Sequence, residues 1–324
     1  MELAAGVHRI EIELGPRIVY LYLFVGDVTV LLDTGPSWAP ESVLRSYMSE
    51  IGMDLRDITI AINTHCDADH FGGNASMKAL SPKTLLIAHE SDRSQIENPE
   101  ITMIRRYLQF EPEHGITLPD DVKADLYKMM GRGTNLDILF KGGEEVRISS
   151  ERRLQVLHAP GHSDGHIAFF DHYDRTLYIG DAVLWRYIPD RKGRPALPPS
   201  YLKPDEYQAT IGLFRSKHPR CIHTAHFPPM EGESADRFLR ESVEFVQELE
   251  NAIKSVLEGS DIPLTLRQIV EEIYQLFKIW PEEAKWDLAY PISGHLSSMA
   301  SKGLVKEALV DGRKAWKLVG HHVK

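Results

Sequence analysis

The chain has 324 residues, a formal net charge of −10 and 43 % apolar content. That length can house two domains around a sizeable core, and the composition excludes a fibrous or disordered chain. The acidic balance also argues against a surface built throughout for nucleic acid, which needs clustered Lys and Arg, although a local basic patch is compatible with it.

The N-terminus, MELAAGVHRIEIELG, alternates like a strand and lacks a basic start followed by an apolar run, so it reads as neither a signal nor a transit peptide. No apolar stretch approaches the roughly 20 residues that span a bilayer, and no membrane association is expected. Two cysteines, Cys66 and Cys221, are too few for a disulfide framework, and a cytoplasmic protein is the expectation.

Next in the chain, IVYLYLFVGD and VTVLLDTG read as a β-hairpin around Gly26-Asp27 that ends in a turn at Asp33-Thr34-Gly35. APESVLRSYMSEIG has helical spacing and a Gly stop. DITIAINTH is a buried strand that runs into NTHCDADHFGGN, residues 63–74, and a helix beginning near Gly73. This order puts His65 to His70 at the C-terminal edge of a sheet, where ligand sites of α/β folds gather. Residues 90–141 read as a helical insertion packed over the sheet, from which Arg105, Tyr107 and Phe110 could face a substrate. Strand patterns return in EEVRI, LQVLHAP, HIAFFD and LYIGDAVL, followed by a helix around 204–217 and the short strand CIHTAH. ADRFLRESVEFVQELENAIKSVLEG is a long amphipathic helix.

Residues 251–324, which contain the linker-like SDIP at 260–263, are read as a distinct unit beside a main domain of residues 1–250. TLRQIVEEIYQLF and PISGHLSSMASKGLV are helices, and KEALVDGRKAWKLV is a hairpin around Asp311-Gly312. Two helices and a two-stranded ribbon suggest a winged helix. Its second helix offers little more than His295, four serines and Lys302, whereas a DNA reader usually presents several basic or amide side chains. Packing against the main domain or a second subunit is therefore favoured over nucleic-acid binding, with Trp280, Trp286 and Tyr290 suited to an apolar contact.

Four metal-competent side chains fall within six residues, His65, Asp67, Asp69 and His70, on a loop that can aim them at one point. Three further segments could complete a site. In HAPGHSDGH the Pro160-Gly161 turn presents His162; in LYIGDAVL, Asp181 follows a Gly at a strand end; in CIHTAHFPP, His226 is favoured over His223 because two prolines hold its backbone. His158 and His166 are read as packing groups first and as supports of His162 second. No phosphate loop or C-x-x-C pair offers competing chemistry, and Cys66 is not expected to be a nucleophile.

Together, TH-x-D-x-DH-x-GG, APGHS, GDAVL, TAHFPP and the DTG turn resemble the metallo-β-lactamase superfamily of hydrolases over residues 1 to about 250. The resemblance implies an α+β fold, a four-layered αββα sandwich with a dinuclear site at one edge. It implies a first divalent ion on His65, Asp67 and His162, a second on Asp69, His70 and His226, and Asp181 between them. Zinc is the family's expectation. Asp67 stands where histidine is usual, and its added negative charge favours iron or manganese, or else leaves a weak first site and a single ion. Flavodiiron proteins carry Glu at that position and a similar gap between the residues matching His162 and Asp181, but nothing in residues 251–324 resembles their flavin module.

The implied chemistry is attack by a hydroxide made from a water shared by the cations, its pKa lowered from 15.7 towards about 7, with Asp69 orienting it. The chain is most similar to the branch holding glyoxalase II and, through its tail, the lactamase-beta-like protein 2 group. The expected substrate is a small ester, thioester or lactone. Single-strand RNA cleavage is the alternative and a diiron redox role the second alternative; a homodimer is compatible with either.

Overall fold

The computed structural model describes residues 1–319, so the last five residues of the expected C-terminal unit lie outside the described residues. Strands β1 (Glu2–Ala4), β2 (Val7–Leu14), β3 (Arg17–Phe24), β4 (Val30–Leu32), β5 (Ile60–Ile62), β6 (Leu85–His89) and β7 (Ile138–Phe140) form one sheet in that spatial order. Its neighbours are antiparallel from β1 to β4 and parallel from β4 to β7. The chain continues through β8 (Glu145–Arg147), β9 (Arg153–His158), β10 (Ile167–Asp171) and β11 (Thr176–Tyr178). A small hairpin of β12 (Ile188–Pro189) and β13 (Pro195–Leu197) precedes β14 (Cys221–His223) and β15 (Met230–Glu231). The second sheet has the order β15-β14-β11-β10-β9-β8.

Period-two alternation decides how the layers stack. In β3, Tyr22 and Phe24 enter the core between the sheets while Leu21 and Leu23 face the other way. In β10, Ile167 and Phe169 meet that same inter-sheet core, and Ala168 and Phe170 point outward. A slip of one residue would exchange these faces, so burial on both sides fixes the register. The outer face of the first sheet is covered by helices Arg45–Glu50 and Asn74–Leu80 through Met48 and Met77. Helices Pro204–Ser216 and Glu233–Glu258 cover the second sheet through Tyr207, Ile211, Phe214 and Phe238. The result is the expected four-layered α+β sandwich.

Strand direction then gathers the functional loops. β4, β5 and β6 are parallel, and β9, β11 and β14 share a direction because β10 is antiparallel to β9 and β11 while β14 is parallel to β11. Their C-terminal ends deliver Asp33, His65, His162, Asp181 and His226 to one rim of the sandwich. Residues 90–141 differ from a purely helical insertion. They break into short helices and the longer Asp120–Met130, then end in β7, whose three residues are too few to show alternation and are recruited by parallel pairing with β6.

The C-terminal region contains helices Leu266–Phe277 and Ala289–Ser301 and the hairpin β17 (Val305–Val310) and β18 (Arg313–Leu318). A short strand, β16 (Leu264–Thr265), pairs with β18 and ends in a capping box formed by Thr265 and Gln268. Leu266, Ile269, Ile292 and Leu296 share one apolar cluster with Phe245, Leu249 and Ile253 of helix Glu233–Glu258. Among the described residues, no helix is long and apolar enough to cross a membrane.

Candidate metal centre

The loop after β5 turns sharply because Gly72 and Gly73 let two backbones close on it. A side chain on Gly72 would start 2.1 Å from the Met129 carbonyl oxygen, and one on Gly73 would start 2.4 Å from that of Thr34. The second contact presses the loop against the turn after β4, where Asp33 adopts a left-handed conformation, φ 64°. A non-glycine residue held there stores about 1–3 kcal/mol of strain. Three bonds to its carboxylate offset that cost: from Thr64 N at 2.7 Å, Thr64 Oγ1 at 2.9 Å and His70 Nδ1 at 2.8 Å. With Nδ1 donating to Asp33, His70 presents Nε2 to the rim.

All seven candidate ligands converge. Ligand atoms of His65, Asp67, His162 and Asp181 lie within 4.8 Å of one another, and so do those of Asp69, His70 and His226. Asp181 Oδ2 links the two groups, 3.9 Å from His65 Nε2, 3.6 Å from His70 Nε2 and 3.2 Å from His226 Nε2. His162 Nε2 and His65 Nε2 stand 3.0 and 3.5 Å from Asp67 Oδ2. Atoms about 2.0–2.2 Å from one cation lie about 3–4 Å apart, so the spacings suit two adjacent ions. The buried His65 Nε2, His70 Nε2 and Asp181 Oδ1 have no hydrogen-bond partner among the described residues. Such atoms are costly unless a ligand satisfies them, so the donor set fits a metal.

Supporting contacts fix the remaining orientations. His226 Nδ1 donates to the Ile18 carbonyl at 2.7 Å. The buried His166 accepts from Asp181 N at 3.1 Å and stacks on His65 at 4.7 Å between ring centres. His158 takes no part: it is exposed, stacks on His89 and bonds the Asp164 carbonyl. His223 packs instead against Tyr22 and Tyr178. Asp92 holds the His162 loop by accepting from Ser163 Oγ and Gly165 N.

Arg106 is the residue that sequence reasoning missed. It is 3 % exposed, and its guanidinium grips Asp67 with two bonds, Nε to Oδ1 at 2.6 Å and Nη2 to Oδ2 at 2.9 Å. It also donates to the His162 carbonyl at 2.9 Å, with Nη2 another 2.9 Å from His162 Nε2. Of the three nominated neighbours, Arg105 is exposed, whereas Tyr107 accepts from Ala68 N at 2.8 Å and Phe110 is buried beside Tyr290. Only a partner 39 residues away distinguishes Arg106 from Arg105, and periodicity carries no such signal.

Electrostatics follow from burial and these pairs. Burial raises the Asp67 carboxyl, but Arg106 and then His162 outweigh it and hold it well below the usual range. Burial also raises Asp181, and His226 and His70 reverse the effect. Burial followed by Arg106 lowers His162 to about 4, leaving a neutral imidazole of the kind a metal takes. Burial would lower His70, yet Asp33, Asp181 and Asp69 raise it well above the ordinary value. Cys66 is buried, and burial followed by Asp92 and Asp67 lifts its thiol well above its ordinary value, which removes it as a nucleophile.

A profile of the metallo-beta-lactamase superfamily matches residues 14–226, more than half of the chain. The chain belongs to the metallo-beta-lactamase superfamily. Its His/Asp cluster is of the metal-binding kind typical of that superfamily, and the chain has the metallo-beta-lactamase fold. Among curated proteins it is similar to the hydroxyacylglutathione hydrolase of Methylococcus capsulatus, 28 % identical over 122 residues that cover 38 % of this chain and 32 % of the relative. The hydroxyacylglutathione hydrolase of a Synechococcus species is 24 % identical over 164 residues, 51 % of this chain and 48 % of the relative. The chain thus spans about a third to a half of the length of the curated relatives it matches. Among solved structures, a metallo-beta-lactamase family protein of Thermus thermophilus superposes with a TM-score of 0.74 at 20 % identity, covering 98 % of this chain and all of that one. A beta-lactamase domain protein of Burkholderia ambifaria gives 0.74 at 18 % identity, covering 98 % and 94 %. These two likenesses concern the fold.

In this metallo-beta-lactamase superfamily member the cluster opens into a cavity of about 620 Å³. Its floor is Asp67, Asp69, Asp181 and His226. The walls come from the 106–129 segment, from β12, β13 and the residues after it, and from Glu283, Trp286, Asp287 and Tyr290 of the C-terminal region.

Proposed function

We propose that the protein is a metal-dependent hydrolase that cleaves a carboxylic ester, thioester or lactone at this cluster. The observation that carries the reading is the convergence of two ligand groups on Asp181 Oδ2 at the floor of a cavity. His65, Asp67 and His162 would hold one divalent cation and Asp69, His70 and His226 a second, with Asp181 between them. When bound, such a pair lowers the pKa of a shared water and polarises a carbonyl oxygen. Asp69, 9 % exposed and lining the cavity, would orient the attacking water and accept its proton. Asp33, His166 and the Ile18 carbonyl keep His70, Asp181 and His226 aimed at the floor.

Zinc stands first for the cation. The charge that Asp67 adds, which would favour iron or manganese, is offset by Arg106 within the same pair. The C-terminal region is read as a winged-helix-like module whose second helix is a packing surface. Tyr290, Ile292, His295, Leu296 and Met299 of that helix are buried, which supports packing over nucleic-acid reading. A cytoplasmic location and a small-molecule substrate belong to the same proposal.

The test is thioester hydrolysis by the zinc-loaded protein. A chelator and His70→Ala are each expected to lower kcat/KM by about 100-fold or more, and elemental analysis to find two equivalents of metal. Turnover that persists in the chelated protein, or a protein that takes up no divalent ion, would overturn the assignment.

A further inference from the structure

We propose that the cavity is a track for a long apolar acyl chain, so that the centre acts on fatty-acyl thioesters, esters or lactones; the proposal rests on the hydrolase reading above. Helix Asp120–Met130 supplies the main observation. Val122, Leu126 and Met129 are spaced i, i+4 and i+7 and form one stripe, with Asp121, Asp125 and Lys128 elsewhere on the surface. An amphipathic helix ordinarily buries such a stripe. Here the stripe lines the cavity: Val122 remains 39 % exposed, and Leu126 and Met129 are only half-buried. Phe110 and Ile116 continue the apolar surface on the same wall, and Leu197 lies among the lining residues from the β13 hairpin.

Charge points the same way. Among the described lining residues the cations are Arg17 and Arg106. Arg106 is bound to Asp67, and Arg17 shares the cavity with Glu283 and Asp287. No cluster of free cations waits for a phosphate or for several carboxylates, whereas a neutral alkyl chain would cover the exposed stripe and gain about 0.8 kcal/mol per methylene removed from water. In the reaction, water adds its oxygen to the acyl carbon, the carbon–sulfur or carbon–oxygen bond breaks, and the leaving thiolate or alkoxide takes a proton. The products are a fatty acid and a thiol or alcohol, or a hydroxy acid from a lactone.

N-Acetylcysteamine thioesters and p-nitrophenyl esters with acyl chains of two to twelve carbons, and γ-lactones with alkyl tails of graded length, would be assayed with the metal-loaded full chain, together with calorimetric titration by decanoate and by acetate. We expect kcat/KM to rise about two- to four-fold per methylene before levelling off. Decanoate should bind about 100-fold more tightly than acetate, and Val122→Asp should cut the decanoyl-to-acetyl ratio of kcat/KM about ten-fold. Val122 is exposed enough for that substitution to leave the fold intact. Cleavage of acetyl and decanoyl thioesters at equal kcat/KM overturns the acyl track and leaves the hydrolase reading standing. Absence of cleavage of thioesters, esters and lactones at every chain length overturns the hydrolase reading, and the substrate assignment with it.

Discussion

Asp67 would burden the first ligand group with an extra negative charge were Arg106 not fastened to it. The guanidinium bonds both carboxylate oxygens, and Oδ2 still faces His65 and His162 at 3.5 and 3.0 Å. The pair presents one oxygen and no net charge, much as a neutral imidazole presents one nitrogen. Removing one partner of a buried ion pair costs about 3–5 kcal/mol, because the other is left uncompensated. Arg106→Met is therefore expected to lower unfolding stability by about that amount in chelator, and by much less in zinc, since the cation then compensates Asp67. Urea denaturation under both conditions checks this, and an equal loss in the two would contradict it. Arg106→Lys should fall between, because an ammonium cannot make the two-pronged contact. The seven ligand candidates were legible because each sits in a compressed motif at a strand end, where few other uses for such residues exist. Arg106 and Asp33 were not singled out as supports, because what assigns their roles is a partner brought near only by the folded chain.

The strands were legible where alternation ran, as in β2, or where a short apolar run bounded by turn residues marked a buried strand, as in β3 and β10, and the long helix Glu233–Glu258 announced itself by periodicity. The 3-10 turn Glu282–Leu288 had no comparable signature, yet it brings Trp286 and Asp287 into the cavity wall. Its placement has an electrostatic consequence. Burial pushes Asp287 up to about 6, with Arg17 and then Arg106 pulling the other way. A carboxyl raised in the folded state relative to its ordinary 3.8 gives stability that is complete below pH 3.8 and lost as pH rises through about 6. That shift corresponds to roughly 3 kcal/mol at neutral pH, and about 1–2 kcal/mol is the better expectation because the side chain borders an open cavity. Asp287→Asn should therefore stabilise the protein by about that much at pH 7 and by nothing measurable at pH 3.5. The comparison is of urea midpoints for variant and parent at each pH, and a stabilisation independent of pH would rule out this origin.

At the scale of the molecule, the C-terminal helix Ala289–Ser301 is joined to the metal centre by short links. Tyr290 Oη donates to the Arg106 carbonyl at 2.8 Å, and Ser298 Oγ and Lys302 Nζ reach Asp205 at 2.7 and 2.8 Å. Tyr201 and His295 pair at 2.9 Å beneath them. The approach is close because Gly294 has no side chain: a Cβ there would stand 2.3 Å from the Leu202 carbonyl oxygen and 3.2 Å from Pro204 Cδ. Leu202 N in turn donates to the Gly161 carbonyl at 2.7 Å, one residue before His162. Gly294→Ala gains about 1 kcal/mol of helix propensity, but it must push the helix and the 202–204 segment apart. Forced overpacking of this kind costs about 1–3 kcal/mol, more than the gain when backbone rather than a flexible side chain has to move. We expect the variant to be less stable, and to hold its first zinc equivalent more weakly, because the strain reaches Gly161 and the His162 loop through Leu202. Ser297→Ala, on the exposed face of the same helix, should leave zinc affinity unchanged. Urea denaturation and zinc competition on the three proteins decide the matter: a Gly294→Ala protein that loses stability but keeps parental zinc affinity would show that the C-terminal helix only packs against the centre and does not help to position it.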